Sequence, residues 1–133
     1  MQRRDDIFMS MASRVQSIPY NPFDELPALR TCRLEIACFD PARHLIGIGR
    51  FCSDRCGCAH SPFRIILAEA LSKNAASVLL AHNHPGGDPS PNACDYDFTR
   101  RLASLLGALG IGIDDHLIVS GSDSFSFRRA GLL

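Results

Sequence analysis

The stretch Ser77-Val78-Leu79-Leu80-Ala81-His82-Asn83-His84-Pro85 decides how this chain folds. Its first five residues are a short, nearly continuous apolar run, the pattern of a strand buried on both faces of a helix-covered sheet. The run delivers His82 and His84 at its carboxyl end, where a ligand site suits an α/β sheet. Side chains alternate along a strand, so both imidazoles face one side and can reach one ion. Asp95 supplies a third ligand if the Gly/Pro-rich loop from Pro85 to Pro91 folds the chain back and a helix begins near residue 91 or 92. Two histidines and a carboxylate leave a fourth tetrahedral position for water, which points to zinc of the hydrolytic kind and not to a closed structural site.

Working outward, Leu34, Ile36 and Cys38 alternate with charged or small residues, and Asp40-Pro41-Ala42-Arg43 reads as a turn. Leu45-Ile46-Gly47-Ile48 then continues as the second strand of a hairpin. A short strand near Cys56 to Ala59 is expected next. Ser61-Pro62 reads as a helix start, with Ser capping and Pro at the first helical position; Ile66, Ala70 and Leu71 supply an apolar stripe that ends at Asn74. Phe98, Leu102, Leu105, Leu106 and Leu109 recur at helical spacing before Gly110, a C-terminal stop. Leu117 to Val119 reads as a strand, and Ser124-Phe125-Ser126-Phe127 alternates as the last edge of the sheet. Residues 1–30 hold Pro19, Pro22 and Pro27 and no sustained periodicity, so they read as an irregular arm with one helical turn around Ile7 to Val15; residues 31–133 form the domain.

The 133 residues are 46% hydrophobic and 21% charged, which fits one globular domain. Fourteen basic and fourteen acidic residues cancel, so no global field draws the chain to nucleic acid or to an anionic membrane. Arg100-Arg101 and Arg128-Arg129 read as a solvated helix face and a tail. No apolar run approaches the roughly 18 residues of a membrane span and the N-terminus lacks an apolar signal core, so the expected compartment is the cytoplasm. Cys32, Cys38, Cys52, Cys56, Cys58 and Cys94 are then expected to be reduced thiols. Cys56, Cys58 and His60 would share one strand face, but the spacing lacks the paired CxxC of structural zinc sites.

The string His82-Asn83-His84-Pro85-Gly86-Gly87-Asp88-Pro89-Ser90-Pro91, then Asp95, then Thr99-Arg100-Arg101-Leu102, then Asp115-His116-Leu117-Ile118-Val119, resembles RadC-like proteins of the JAB/MPN (JAMM) metallopeptidase-like superfamily. The resemblance covers about three quarters of the chain, from Arg33 to Phe127. It implies a cytidine-deaminase-like α/β (α+β) three-layer sandwich, a curved mixed sheet with a helix on each side. It also implies Zn2+ held by His82, His84 and Asp95. The deaminase chemistry found on the same fold needs HxE and PCxxC elements that this chain lacks.

Two positions depart from the family pattern. The family has Ser three residues before the Asp ligand; this chain has Asn92, whose amide can donate to an oxyanion but cannot act as a hydroxyl. Active members place a glutamate, the general base, on the strand before the first helix. An ungapped register puts Ile48 there, and no glutamate lies between Glu35 and Glu69, which leaves Asp54 as a substitute carboxylate or no base at all. The helix-hairpin-helix segment often found ahead of this domain does not fit within residues 1–30.

The residues also have plainer readings. An HxHP string can simply end a strand, Asn92 and Asp95 can serve as a helix start, and Asp115-His116 can be a strand-entry pair in place of a neighbour to the metal water. Phe125 and Phe127 read as core or edge residues. The leading functional reading is a zinc-dependent hydrolase of amide or isopeptide bonds, with Asn92 donating to the oxyanion and a peptide or protein as substrate. The alternatives are a non-catalytic metal-binding or interaction module that pairs through sheet edges, homodimers included, and a DNA-repair-associated accessory factor, for which the neutral charge and the missing appendage count against direct binding of DNA.

Overall fold

The structure, a computed structural model, describes residues 2–3, 22–53 and 62–133. A six-stranded mixed sheet carries β1 (Gln2–Arg3), β2 (Cys32–Phe39), β3 (Leu45–Ser53), β4 (Ser77–Asn83), β5 (Gly112–Ser120) and β6 (Asp123–Ser126), in the spatial order β1-β6-β5-β4-β2-β3. Only β4 and β5 pair in parallel among the described strands. Parallel neighbours need a long crossover, and helix α2 (Ala93–Ala108) provides it; α1 (Phe63–Ser72) links β3 to β4. This is the mixed α/β sandwich expected.

Alternation along β4 divides the core in two. Val78 and Leu80 join Ile36 and Cys38 of β2, Ile66 and Ala70 of α1, and Leu102 and Leu106 of α2 on one face. Leu79 and Ala81 join Ala37, Phe39, Leu117 and Val119 on the other, under Phe23 and Leu26. Leu26 opens a 3-10 helix, Leu26–Ala28, so helical residues lie on both sides of the sheet.

Phe23 and Leu26, from the stretch read as an irregular arm, thus pack into this core. They fill a face that no described α-helix covers, a role that a stretch without periodicity does not announce. Asn83 fastens this segment: its NH2 donates to the carbonyls of Leu29 (3.2 Å) and Thr31 (2.8 Å), and its Oδ1 accepts from the Arg33 N–H (2.7 Å).

Both helices end in a residue with left-handed backbone, Asn74 (φ 51) and Gly110 (φ 74). In each, the next N–H turns back onto the last helical turn: Ala75 to the Ala70 carbonyl, Ile111 to that of Leu106, the 6→1 bond of a Schellman end. Pro62 stands at the N-cap of α1 and not at its first helical position. The apolar stripes are narrower than the sequence suggests, since Leu71, Leu105 and Leu109 are exposed. The last edge also differs, because β1 pairs outside β6. The expected helical turn at 7–15 and strand at 56–59 lie outside the described residues.

Leu80 is fully buried between the sheet and both helices. Leu80→Ala is expected to cost about 2–5 kcal/mol in denaturant-induced unfolding, whereas Leu71→Ala, on the exposed side of α1, should stay within about 0.5 kcal/mol.

Candidate metal centre

His82 occupies the last turn of the β4 pleat and His84 lies just past the strand end. β5 holds that exit: the His84 N–H donates to the Val119 carbonyl (3.0 Å), and Ser120 Oγ donates to the His84 carbonyl (2.6 Å). Pro85-Gly86-Gly87 turns the chain away, with Gly87 at φ 89, a conformation an L side chain rarely adopts. Asp88 Oδ1 accepts from the Ser90 N–H (2.9 Å), and the chain enters α2 at Asn92.

That entry is a capping box. Asn92 Oδ1 accepts from the Asp95 N–H (3.0 Å), and Asp95 Oδ2 accepts from the Asn92 N–H (2.8 Å). The box orients the Asp95 carboxylate back toward the end of β4. Asn92 thus has the ordinary helix-starting role; its carbonyl oxygen is committed to the cap, and its NH2 is the group left over.

His82, His84 and Asp95 converge, as the sequence leads one to expect. His82 Nε2 lies 3.0 Å from His84 Nε2 and 3.2 Å from Asp95 Oδ1, and His84 Nε2 lies 3.4 Å from Asp95 Oδ2. A tetrahedral ion with bonds of about 2.0–2.1 Å separates its ligand atoms by about 3.3 Å. The three side chains therefore have the spacing, as well as the donor types, of a His/His/Asp metal site.

Behind the site stand two residues, His116, for which the sequence offers both a strand-entry role and a place near the metal water, and Thr99. His116 Nε2 lies 2.7 Å from His82 Nδ1, and its Nδ1 lies 2.6 Å from Thr99 Oγ1. The ring is fully buried and stacked on Phe127, with centroids 4.8 Å apart and planes at 8°. His116 is thus a partner of a candidate ligand and not a strand-entry residue packed for its own sake. One signal in the sequence foretells Thr99: it is four residues from Asp95, on the same helix face.

Electrostatics separate the two candidate histidines. Burial pushes His82 below the usual imidazole range, against the pull of Asp95, while hydrogen bonding to Asp95 outweighs burial at His84 and raises it. Burial opposes ionisation of Asp95, yet its polar neighbours His82 and His84 and the Asn92 N–H hold its carboxyl well below the usual range. His116 is pushed well down by burial and by its neighbour His82.

No second carboxylate joins the cluster among the described residues. Ile48 pairs with Ala37, on the sheet face opposite His82; the β3 positions on the histidine side are Gly47, Gly49 and Phe51, opposite Cys38, Ile36 and Leu34. Glu35, also on the far face, is buried against Arg33 and Arg50. Asp54 and the side chains of Cys52, Cys56, Cys58 and His60 lie outside the described residues. Cys32 and Cys94 are disulfide-bonded, which corrects the expectation of reduced thiols; Cys38 is free and buried. The expectation rested on compartment alone, which carries no information about which sulfurs meet.

A family model described as the RadC-like JAB domain matches residues 21–132. The chain belongs to the RadC-like JAB domain family. Over 70 residues it is 49% identical to the UPF0758 protein YeeS of Escherichia coli (strain K12), a stretch that is 53% of this chain and 47% of the relative. It is 47% identical to YfjY of the same organism over 53% of this chain and 44% of the relative, and 44% identical to a UPF0758 protein of Janthinobacterium sp. (strain Marseille) over 53% and 31%. The matched stretch thus spans less than half of each of these relatives. No described helix is long and apolar enough to cross a membrane.

Two measurements follow from this geometry. Imidazole titration of the metal-free RadC-like domain by NMR should place His84 above and His82 below the ordinary value of about 6.5, and Asp95→Asn should bring His84 down. The linkage has a sign: the stability gained from charged His84 is complete below about pH 6.5 and is lost as pH rises through its raised value, whereas that from Asp95 is lost only in acid. Separately, Asn92→Ala should cost about 0.5–2 kcal/mol in unfolding free energy through loss of the cap, and Asn92→Ser, which keeps a capping oxygen, should retain most of it.

Proposed function

We propose that this RadC-like JAB domain binds one zinc ion through His82, His84 and Asp95 and hydrolyses amide or isopeptide bonds of a peptide or protein, slowly for want of the glutamate base. The observation that carries the reading is the convergence of the three side chains: the two Nε2 atoms lie 3.0 Å apart, and the Asp95 carboxylate lies 3.2 Å from His82 Nε2 through Oδ1 and 3.4 Å from His84 Nε2 through Oδ2. The donor set of two imidazoles and a carboxylate, with a tetrahedral position to spare, favours zinc among the common ions. Bound zinc supplies a water of lowered pKa, about 7 in favourable sites, and polarises a carbonyl.

The chain's own residues do the rest. His82 and His84 bind through Nε2. Asp95 binds while its other oxygen keeps the N-terminal turn of α2 in place. The Asn92 NH2 donates to the carbonyl oxygen as charge develops there. Loss of a positioned base costs on the order of 10² to 10⁴ in rate.

A second reading, a non-catalytic metal-binding module, is favoured by a specific observation: Gly47 and Gly49 stand on the histidine side of β3 with no carboxylate. The neutral charge balance argues against direct nucleic-acid binding in either case.

Elemental analysis of protein purified without added metal should find about one zinc per chain, lost in His84→Ala. Zinc with measurable cleavage of peptide or isopeptide substrates that chelation abolishes supports the hydrolase. Zinc without cleavage leaves the non-catalytic module, and no zinc even on titration overturns both.

A further inference from the structure

The hydrogen bonds behind His82 admit only one arrangement of protons. The Asp95 carbonyl, 2.7 Å from Thr99 Oγ1, can only accept, so the single hydroxyl hydrogen of Thr99 goes to it. Thr99 Oγ1 must then accept from the ring 2.6 Å away, which places a hydrogen on His116 Nδ1. His116 is fully buried, and no described carboxylate is hydrogen-bonded to its ring; a charge there would lack a partner, so the ring is neutral and its Nε2 carries a lone pair. His82 Nδ1, 2.7 Å from that lone pair, must be the donor. A neutral His82 with hydrogen on Nδ1 presents a bare Nε2 to the cluster, 3.2 Å from Asp95 Oδ1. Beside these two electron-rich atoms lies His84 Nε2, 3.0 Å from His82 Nε2, which can hold a proton there when no ion does.

We infer that Thr99 and His116 are positioning residues that fix His82 in the tautomer whose Nε2 is ready to take a metal ion. The inference takes its purpose from the metal-binding reading above, but the tautomer itself belongs to the metal-free protein. Packing holds the relay rigid: the His116 ring lies flat on Phe127 and meets the Phe98 ring at 67° with centroids 5.8 Å apart, so it cannot turn away from His82 without displacing both. The relay starts at the backbone of the residue whose carboxylate completes the cluster, so one turn of α2 sets both ligands. Partners of this kind commonly change metal affinity by about 10–100-fold when removed.

The test is long-range ¹H–¹⁵N correlation of the imidazoles in metal-free protein. Hydrogen on Nδ1 is expected for both His82 and His116. Thr99→Val keeps the shape but removes the acceptor; the His116 hydrogen should move to Nε2, drive the His82 hydrogen to its own Nε2, and weaken Zn2+ or Co2+ binding by about 10–100-fold in chelator competition. Thr99→Ser, which restores the hydroxyl, should restore both the spectrum and the affinity. Hydrogen on His82 Nε2 in the wild type, an unchanged His82 in folded Thr99→Val, or a switched tautomer with unchanged metal affinity would each overturn the inference. If Thr99→Val does not fold, the wild-type spectrum still decides. If the wild type takes up no metal, the metal-binding reading fails on its own, while the tautomer is read as before.

Discussion

The contact between the rings of His82 and His116 is the interaction around which the rest of the site is arranged. It exists because β4 and β5 run parallel, which brings two histidines of separate strands to one face, His116 level with Leu80 and His82 one pleat further along, level with Ile118. His116 is fully buried while His82 is only half-buried, and an unpaired buried polar group costs about 1–3 kcal/mol. The pair is therefore tolerable only if something beyond it accepts the remaining hydrogen. α2 supplies that acceptor in Thr99, at 2.6 Å, so the crossover helix must dock with its first turn against the strand ends.

The parts of this arrangement legible in the sequence are those that repeat along one element. The apolar run 77–81, the two histidines spaced by one residue, and the helical spacing of Leu102 and Leu106 all follow from a single period. What was not legible depends on contacts between elements far apart in the chain. Phe23 and Leu26 sit in a stretch with no period, and their place follows only from packing against Leu79, Ala81 and Leu117. His116 stands 34 residues from His82, and its polarity says only that a partner exists. The face on which Ile48 lies is a matter of strand register, which a counting alignment cannot fix, since a slip of one residue reverses every side chain.

The missing carboxylate on β3 has a packing counterpart. A Cβ built at Gly49 would meet Ile36 Cγ2 at 2.9 Å, Glu69 Cγ at 3.0 Å and Phe51 Cζ at 3.0 Å, and one at Gly47 would meet the Lys73 side chain. Helix α1 thus lies close over β3, with Glu69 and Lys73 paired across the glycines. Lys73 could swing aside at Gly47, but Ile36 at Gly49 is part of the core. Restoring a glutamate at Gly49 would require moving the helix as well as changing one residue, so the strand is shaped for close packing and not for holding a base.

Asp95 shows how tightly ligation and folding are joined here. Its Oδ2 accepts the Asn92 N–H, its backbone carbonyl accepts the Thr99 hydroxyl, and its Oδ1 faces His82. The first two bonds form as α2 forms, before any ion is present, and Cys94 beside it is tied by a disulfide. The carboxylate is thereby held with Oδ1 toward His82 and with Oδ2, which also caps the helix, toward His84. An ion entering the cluster meets ligands already oriented, and little ordering entropy remains to be lost on binding. Asp95→Asn should accordingly be more harmful to metal affinity than to helix capping, because an amide turned to keep its oxygen on the Asn92 N–H points its NH2 at the ion.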